Sequence, residues 1–502
     1  MSSHTPPTLH FNYDISCPFA YIASTRIRAL ATRTRTPLVY RPVLLGAIYR
    51  STAAPQGASG SASDVFNAAK KTVASASMAR TLKRYNIAYA PPPQHPRKTV
   101  DALRLLYVLG EEDREKVTHA LFKAYWAGGR DVADKKVLLE IAGACGVVGL
   151  TEAVFADEGA RRELSAATEE AISRGAFGVP GFWIQMAGVE GGGRYFWGQD
   201  RMHFVEGLLR GTAAGGTEAG DIGAMLETAR VWGEVKGCRL QSLLPRCVAS
   251  NIIPEGTKVK LQFWFDFSSP WAFLGYTQLA RLQRTFGPKL QIELKPFLLG
   301  ILFREIGAPM LPMSVASPVK MAWMRRDHAD WVAWWNAIAM QEGDEKKIQF
   351  HWNDKFPIRT PLALRVALVE PGVVPLLFSA CWERNENVSD DAILCSVLNQ
   401  AGYNGMELIA RANEAEPKAK LRALTAEAKR LGLCGVPTYL VFRQTGGGEW
   451  QAAGGLVWGQ DEINVVEDLI AGWNPERDGG IAEVGKVRYE EHTDGKSIGA
   501  KL

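Results

Sequence analysis

The chain has 502 residues, 47% of them apolar and 22% charged, with a net charge of +5. One hydrophobic core rarely grows past about 250–300 residues, so the length predicts several domains. The small net charge and the lack of any Lys/Arg run exclude a nucleic-acid binder, and the longest apolar run, 362–381, is interrupted by Arg365, Glu370, Pro371 and Pro375, which excludes a membrane-spanning helix.

In chain order, an alternating aromatic strand is predicted over 9–14. It ends in Asp14 and is followed by Ile15-Ser16-Cys17 and a helix over Pro18–Thr32. A second strand covers Leu38–Pro42. Apolar residues at helical spacing then predict helices over Leu103–Leu109, Val117–Trp126 and Val137–Ala144. The turn Gly178-Val179-Pro180 leads into a strand, Phe182–Gln185, a Gly-rich hairpin, the turn Trp197-Gly198-Gln199-Asp200 and a last helix.

The same order then repeats. A strand over 259–266 ends in Asp266, and a loop with Ser269 precedes a helix over Pro270–Arg284 and a strand over Leu290–Pro296. Pro42-Val43-Leu44-Leu45-Gly46 matches Pro296-Phe297-Leu298-Leu299-Gly300, and Asp101–Arg104 matches Leu362–Arg365. Gly178-Val179-Pro180 matches Gly435-Val436-Pro437, before a strand over Thr438–Phe442, and Trp197–Asp200 matches Trp458–Asp461. The period is far longer than the ~20–50 residues of a solenoid. The expected domains are 8–212 and 258–473, joined by a connector over 213–257 with a helix near 222–235, and followed by an exposed, mobile polar tail over 474–502. The order β-α-β, helical insertion, β-β-α predicts an α/β protein built from two mixed sheets.

Seven cysteines form no close pair and no zinc spacing, so free thiols in a reducing compartment are expected. The segment 1–8 lacks signal-peptide features. Cys17 and Ser269 each stand at a helix start, where free N–H groups and the helix dipole stabilise an anion. Cys17 reads as a reactive thiolate or as a buried structural thiol. Ala20 stands where a second cysteine would resolve a mixed disulfide, so dithiol exchange is not expected. Ser269 has no triad partners, and reads as a donor to a bound thiolate or as a helix N-cap. Lys320 reads as a counter-ion for a carboxylate or as a solvated charge. Asp200 and Asp461 hold an ammonium group or shape their turns. Trp323, Trp331, Trp334 and Trp335 form core or an aromatic pocket wall, and Cys434 is either a bystander or within reach of Ser269. His95, His328 and His351 have no metal spacing, so no metal is expected.

Together these motifs resemble the kappa-class glutathione transferases and the 2-hydroxychromene-2-carboxylate isomerases, which share a DsbA-like thioredoxin fold. The resemblance implies two thioredoxin-like domains, each with an inserted helical domain, arranged as an internal pseudo-dimer. It implies that Ser269 faces the thiolate of bound glutathione and that Cys17 takes the same place in the first unit. Val179-Pro180 and Val436-Pro437 resemble the family's cis-proline loop, whose backbone pairs with the cysteinyl residue of glutathione. Gln199-Asp200 and Gln460-Asp461 resemble the motif that holds the γ-glutamyl end. Arg201 completes that motif in the first unit, whereas Glu462 stands there in the second. The family's Lys-x-x-aromatic-Met-x-x-Asp pattern is present as Lys320, Trp323, Met324 and Asp327; the first unit has only Lys70 and Lys71 there. The family's Asn has no evident counterpart in either unit; Ala54 and Ala308 stand near where it would fall.

The expected function is glutathione-dependent transfer to, or isomerisation of, a small aromatic or conjugated electrophile, with glutathione as the cofactor and Ser269 and Cys17 as the catalytic candidates. A non-catalytic small-molecule binder and a monothiol redox protein centred on Cys17 are the alternatives. The final Ala500-Lys501-Leu502 resembles a peroxisomal address, which predicts a peroxisomal location and an import receptor as partner.

Overall fold

The computed structural model describes residues 7–54, 62–186, 192–213, 232, 235, 237–344 and 346–481. Two four-stranded sheets share one topology. In the first, β1 (Thr8–Tyr13) runs parallel to β2 (Leu38–Pro42) and antiparallel to β3 (Gly181–Gln185), which carries β4 (Gly193–Trp197) on its far edge. In the second, β5 (Thr257–Phe265), β6 (Leu290–Pro296), β7 (Thr438–Thr445) and β8 (Gln451–Trp458) repeat that order.

A parallel pair needs a crossover. Helix α1 (Pro18–Thr34) supplies it in the first unit. The first unit also contains α2 (Ala68–Arg84), in its helical insertion, and the closing helix α3 (Met202–Ala213); in the second unit the expected single crossover helix is two, α4 (Pro270–Thr277) and a further helix, Leu279–Phe286. The break falls at Gln278, whose N–H bonds to Gly275 O three residues back at 3.2 Å, a tighter turn than the α-helical one.

β1 is buried from Leu9 to Tyr13, and the alternating aromatics of β5 (Phe263, Phe265) are fully buried as well. The Asp that ends each of these strands organises the loop beyond it. Asp14 is buried and accepts from Ser16 N (3.0 Å), Thr99 Oγ1 (2.7 Å) and Leu45 N (3.0 Å). Asp266 repeats this with Ser268 N (3.0 Å), Thr360 Oγ1 (2.6 Å) and Leu299 N (3.0 Å). Each carboxylate thereby fastens three segments that are far apart in sequence. The sequence reading had Asp14 and Asp266 as strand ends and missed both threonines.

The two units pack face to face. α2, from the first unit's helical insertion, lies on β8 of the second, and Ser77 Oγ donates to Glu462 at 2.7 Å. Its counterpart α5 (Pro318–Gln341) lies on the first unit, where Trp323 packs on Phe177 and Trp197 with centroids 5.3 Å away from each. The last helix, α6 (Ile463–Ile470), is buried beneath the described end of the connector. There Arg246 Nε donates to Asp468 at 2.7 Å, and Arg84 Nη2 donates to Pro245 O at 2.5 Å.

The tail departs from expectation over 474–481. Trp473 Nε1 donates to Gly479 O at 3.1 Å and Ile481 N to Arg84 O at 2.6 Å, so its first residues fold back on the unit interface. The predicted helix near 222–235 lies, except for buried Trp232 and Val235, outside the described residues, as does Ala500-Lys501-Leu502.

Candidate active site

In the first unit the residue before the first-helix proline meets the Val-Pro turn, Cys17 Sγ lying 3.2 Å from Val179 O; in the second, Pro437 packs against Gly275 of the helix that Ser269 starts. Pro18 and Pro270 occupy the first helical turn, where a missing N–H costs nothing. Cys17 and Ser269 are therefore N-cap residues with matching extended backbones (φ −97°, ψ 117° and φ −105°, ψ 119°). The Val179-Pro180 and Val436-Pro437 bonds are both cis. Two further cis prolines, Pro96 and Pro357, precede the helices that start after Thr99 and Thr360.

The two sites then diverge. Cys17 caps nothing; its Sγ–H donates to Val179 O at 3.2 Å. Burial pushes the thiol up to about 12, outweighing the Phe19 and Ala20 N–H groups that favour the thiolate, while Asp14 adds to the rise. Of the two expectations for Cys17, burial and the bond to Val179 favour the buried neutral thiol over the reactive thiolate. Tyr49 and Tyr89 bear on it electrostatically, and burial raises the pKa of both phenols.

Ser269 is also buried, but its Oγ accepts from Ala272 N at 3.1 Å, so the N-cap reading holds. Accepting that bond leaves the hydroxyl hydrogen to donate elsewhere, and no acceptor takes it among the described residues. The main chain of Val436 likewise carries no hydrogen bond among the described residues, whereas the matching Val179 carbonyl is taken by Cys17. At the positions matching Tyr49 and Tyr89 the second unit has Phe303 and Phe350, so its surroundings are the more apolar.

The Trp-Gly-Gln-Asp turns back both loops. A Cβ added to Gly178 or Gly435 would lie 2.8 Å from the indole nitrogen of Trp197 or Trp458, which is why glycine precedes each Val-Pro. The turn glycines Gly198 and Gly459 take φ of 101° and 103°, open to glycine and strained for other residues. The side-chain oxygens of both glutamines are engaged within the protein. Gln460 is buried and accepts from Trp335 Nε1 at 2.9 Å; Gln199 accepts from Arg26 Nη2 at 2.5 Å. Asp200 and Asp461 meet at the unit interface, joined by Arg201 at 2.7 and 2.9 Å. Arg201 in turn makes a two-point contact with Asp327 of the other unit (2.7 and 3.0 Å).

The family model for the DSBA-like thioredoxin domain matches residues 8–210 and again 260–471. The chain belongs to the DSBA-like thioredoxin domain family. Glutathione S-transferase kappa 1 of Caenorhabditis elegans is 26% identical over 215 residues, 41% of this chain and 91% of that protein. The 2-hydroxychromene-2-carboxylate isomerase of Sphingobium xenophagum is 26% identical over 209 residues, 40% of this chain and 97% of that protein. A solved structure of such an isomerase covers 42% of this chain and 100% of its own, at 20% identity and a TM-score of 0.35.

In this DSBA-like pair the lysines form a feature that sequence reasoning only half saw. Lys320 and Lys70 are both the third residue of their helices, with N–H groups capped by Ser317 (3.3 Å) and Asn67 (2.9 Å). Lys70, from the first unit, reaches the second: its Nζ lies 4.3 Å from the Phe66 ring centroid and 5.8 Å from that of Trp458. Burial lowers both ammonium pKa values; the Lys70 charge lowers Lys320 further, and Cys434 opposes the drop at Lys70. No carboxylate pairs with either lysine among the described residues. The matching cap spacings, Asn67-x-x-Lys70 and Ser317-x-x-Lys320, were the available signal.

Cys434 stands beside Lys70, and burial pushes its thiol up to about 12 against the pull of that ammonium. Trp331, Trp334 and Trp335 are core, and Trp323 is a half-buried interface residue. All seven cysteines are free, no group among the described residues could hold a metal, and no described helix is long and apolar enough to cross a membrane.

Proposed function

We propose that this protein is a glutathione-dependent transferase or isomerase whose chemistry runs in the second unit. The observation that carries the reading is Ser269, a hydroxyl with a hydrogen to donate at the start of the helix on which Pro437 packs, together with a Val436 main chain that carries no hydrogen bond among the described residues. Glutathione bound along the Val436-Pro437 turn would have its sulfur at the start of α4. There the hydroxyl donor and the helix N-terminus favour the thiolate, which then adds to an electrophilic carbon held near Phe303 and Phe350. On a conjugated electrophile the thiolate's attack pushes the C=C π pair onto the conjugated carbonyl: in transfer that pair takes up a proton and the C–S bond stays, and in isomerisation the single bond rotates, the double bond re-forms and the thiolate leaves. Lys320 and Lys70 supply the cations that a carboxylate of glutathione, or an anionic substrate, would neutralise. Likeness to a glutathione transferase and to an isomerase supports this chemistry and leaves the electrophile open.

Calorimetric titration of glutathione tests the reading. Wild type and Cys17→Ala should bind alike, Ser269→Ala should lose binding, and Lys70→Ala with Lys320→Ala should weaken it roughly tenfold or more, the worth of about 1.4 kcal/mol. Absence of binding to wild type would sink the proposal. A peroxisomal location is proposed on Ala500-Lys501-Leu502 alone; a fluorescent fusion that stays cytosolic with these residues intact would refute it.

A further inference from the structure

Five ion pairs cross between the units among the described residues, and all five have the same polarity. The guanidinium always belongs to the first unit and the carboxylate to the second. Arg80 faces Glu462 (3.7 Å), Arg84 faces Asp468 (2.5 Å), Arg194 faces Asp330, and Arg201 faces Asp327 (2.7 Å) and Asp461 (2.9 Å). These four arginine side chains are only 2–8% exposed, so their charges are held out of water.

The two ends of the interface are related by the duplication, so they are directly comparable. With Lys70 and Lys320 as the shared third residue, Ser77 matches Asp327, Arg80 matches Asp330 and Arg84 matches Trp334. The closing turns match Arg201 to Glu462 and Gly207 to Asp468. At one end Asp327 takes Arg201, Asp330 takes Arg194, and Trp334 lies against Gly207, where an added Cβ would sit 2.9 Å from its ring. At the other end Ser77 donates to Glu462 (2.7 Å), Arg80 reaches Gly454 O (3.2 Å) and Glu462, and Arg84 takes Asp468. Equivalent contacts are made with opposite charge or with different bulk.

We propose that this face is a heterotypic lock: the first unit's basic surface accepts the acidic surface of a second unit and rejects another first unit, and the converse holds for the second. Two first-unit faces would set Arg80 against Arg201 where Glu462 now stands, and Arg84 against Gly207 in place of Asp468. Two second-unit faces would set Asp327 and Asp330 against Glu462, and press Trp334 on Asp468. The first pairing takes from Arg80 and Arg84 the carboxylates they face, and the second gathers carboxylates without the first unit's arginines, which discriminates strongly against both. The chain therefore closes on itself through this face, and Glu462 and Ser77, which depart from the family pattern, are two halves of one exchange.

To test this, a protease recognition sequence is inserted after Ala213 of the full chain, and the folded protein is cut between the units. Unlabelled and 15N-labelled cut proteins are then mixed and followed by native mass spectrometry. Only first-with-second pairs are expected. Pairs of two first units or two second units would overturn the proposal, as would separation of the cut halves. A second measurement uses the uncut chain. Arg194→Asp and Asp330→Arg should each lower the thermal midpoint, and the double exchange should lose clearly less than the sum of the two. A double variant that loses the full sum would also overturn it.

Discussion

Cys17 is pulled in two directions, and magnitudes decide between them. The N–H groups of Phe19 and Ala20 favour its thiolate, as any helix start would, but the cost of burial is larger and leaves the thiol at about 12. Near neutral pH the protonated thiol is therefore the favoured form at this position. Thiol alkylation of the native protein, mapped by mass spectrometry over time, should reach half-buried Cys238 and Cys395 well before Cys17 and fully buried Cys381. Early labelling of Cys17 would show that the site opens and that its chemistry has been misjudged. The helix start was legible in Cys-Pro because that geometry is local. The burial was not, because the Val179 carbonyl that takes the thiol's bond comes from elsewhere in the chain. Ser269 shows the converse. Its capping role and its place before Pro270 were both readable, while the Val436 main chain, without a hydrogen bond among the described residues, was not.

At the scale of one element, α5 shows what a motif conceals. Lys320, Trp323 and Asp327 read as one pattern serving one site, yet Trp323 and Asp327 face the other unit, and the turn between them brings Lys320 to Lys70. Helical spacing gives a residue's face but not which unit covers it. The same helix carries fully buried His328, whose Nε2 lies 3.2 Å from Pro270 O, at the first turn of α4. Burial lowers its pKa from 6.5 to about 4, only partly offset by the bond to Pro270. The unfolded chain therefore takes up this proton near pH 6.5 and the folded chain only near pH 4. The stability contributed by a neutral His328 is complete above pH 6.5 and falls away as the pH drops through that window, by on the order of 2 kcal/mol at pH 5. His328→Gln keeps a donor for Pro270 and removes the titration. Urea unfolding at pH 7.5 and pH 5 should show a smaller acid loss in the variant than in wild type; equal losses would place the acid sensitivity elsewhere.

For the whole molecule, the duplication, both sheets and the pairing of two units were legible, because matched landmarks such as Trp197-Gly198-Gln199-Asp200 and Trp458-Gly459-Gln460-Asp461 survive in order. What joins the units was not legible, since each partner looks like an ordinary surface charge until its opposite is known. Asp468 is the clearest case. It is fully buried at the start of nothing recognisable, yet it accepts from Arg84 Nη1 (2.5 Å), Arg246 Nε (2.7 Å), Cys247 N (2.9 Å) and Val248 N (3.1 Å). Those donors come from the first unit's α2 and from the connector, and Arg84 also holds the tail through its carbonyl and Ile481. Asp468→Asn keeps the shape and removes the charge, leaving Arg84 buried without its counter-ion, which costs about 3–5 kcal/mol. Glu112→Gln, which breaks an exposed pair with Lys116, is the control and should change nothing measurable. Because one carboxylate ties both units together, calorimetry of Asp468→Asn should show the whole chain melting earlier as one transition. If the first unit instead kept its wild-type midpoint and melted apart from the second, the two halves would be independent domains and the shared network merely peripheral.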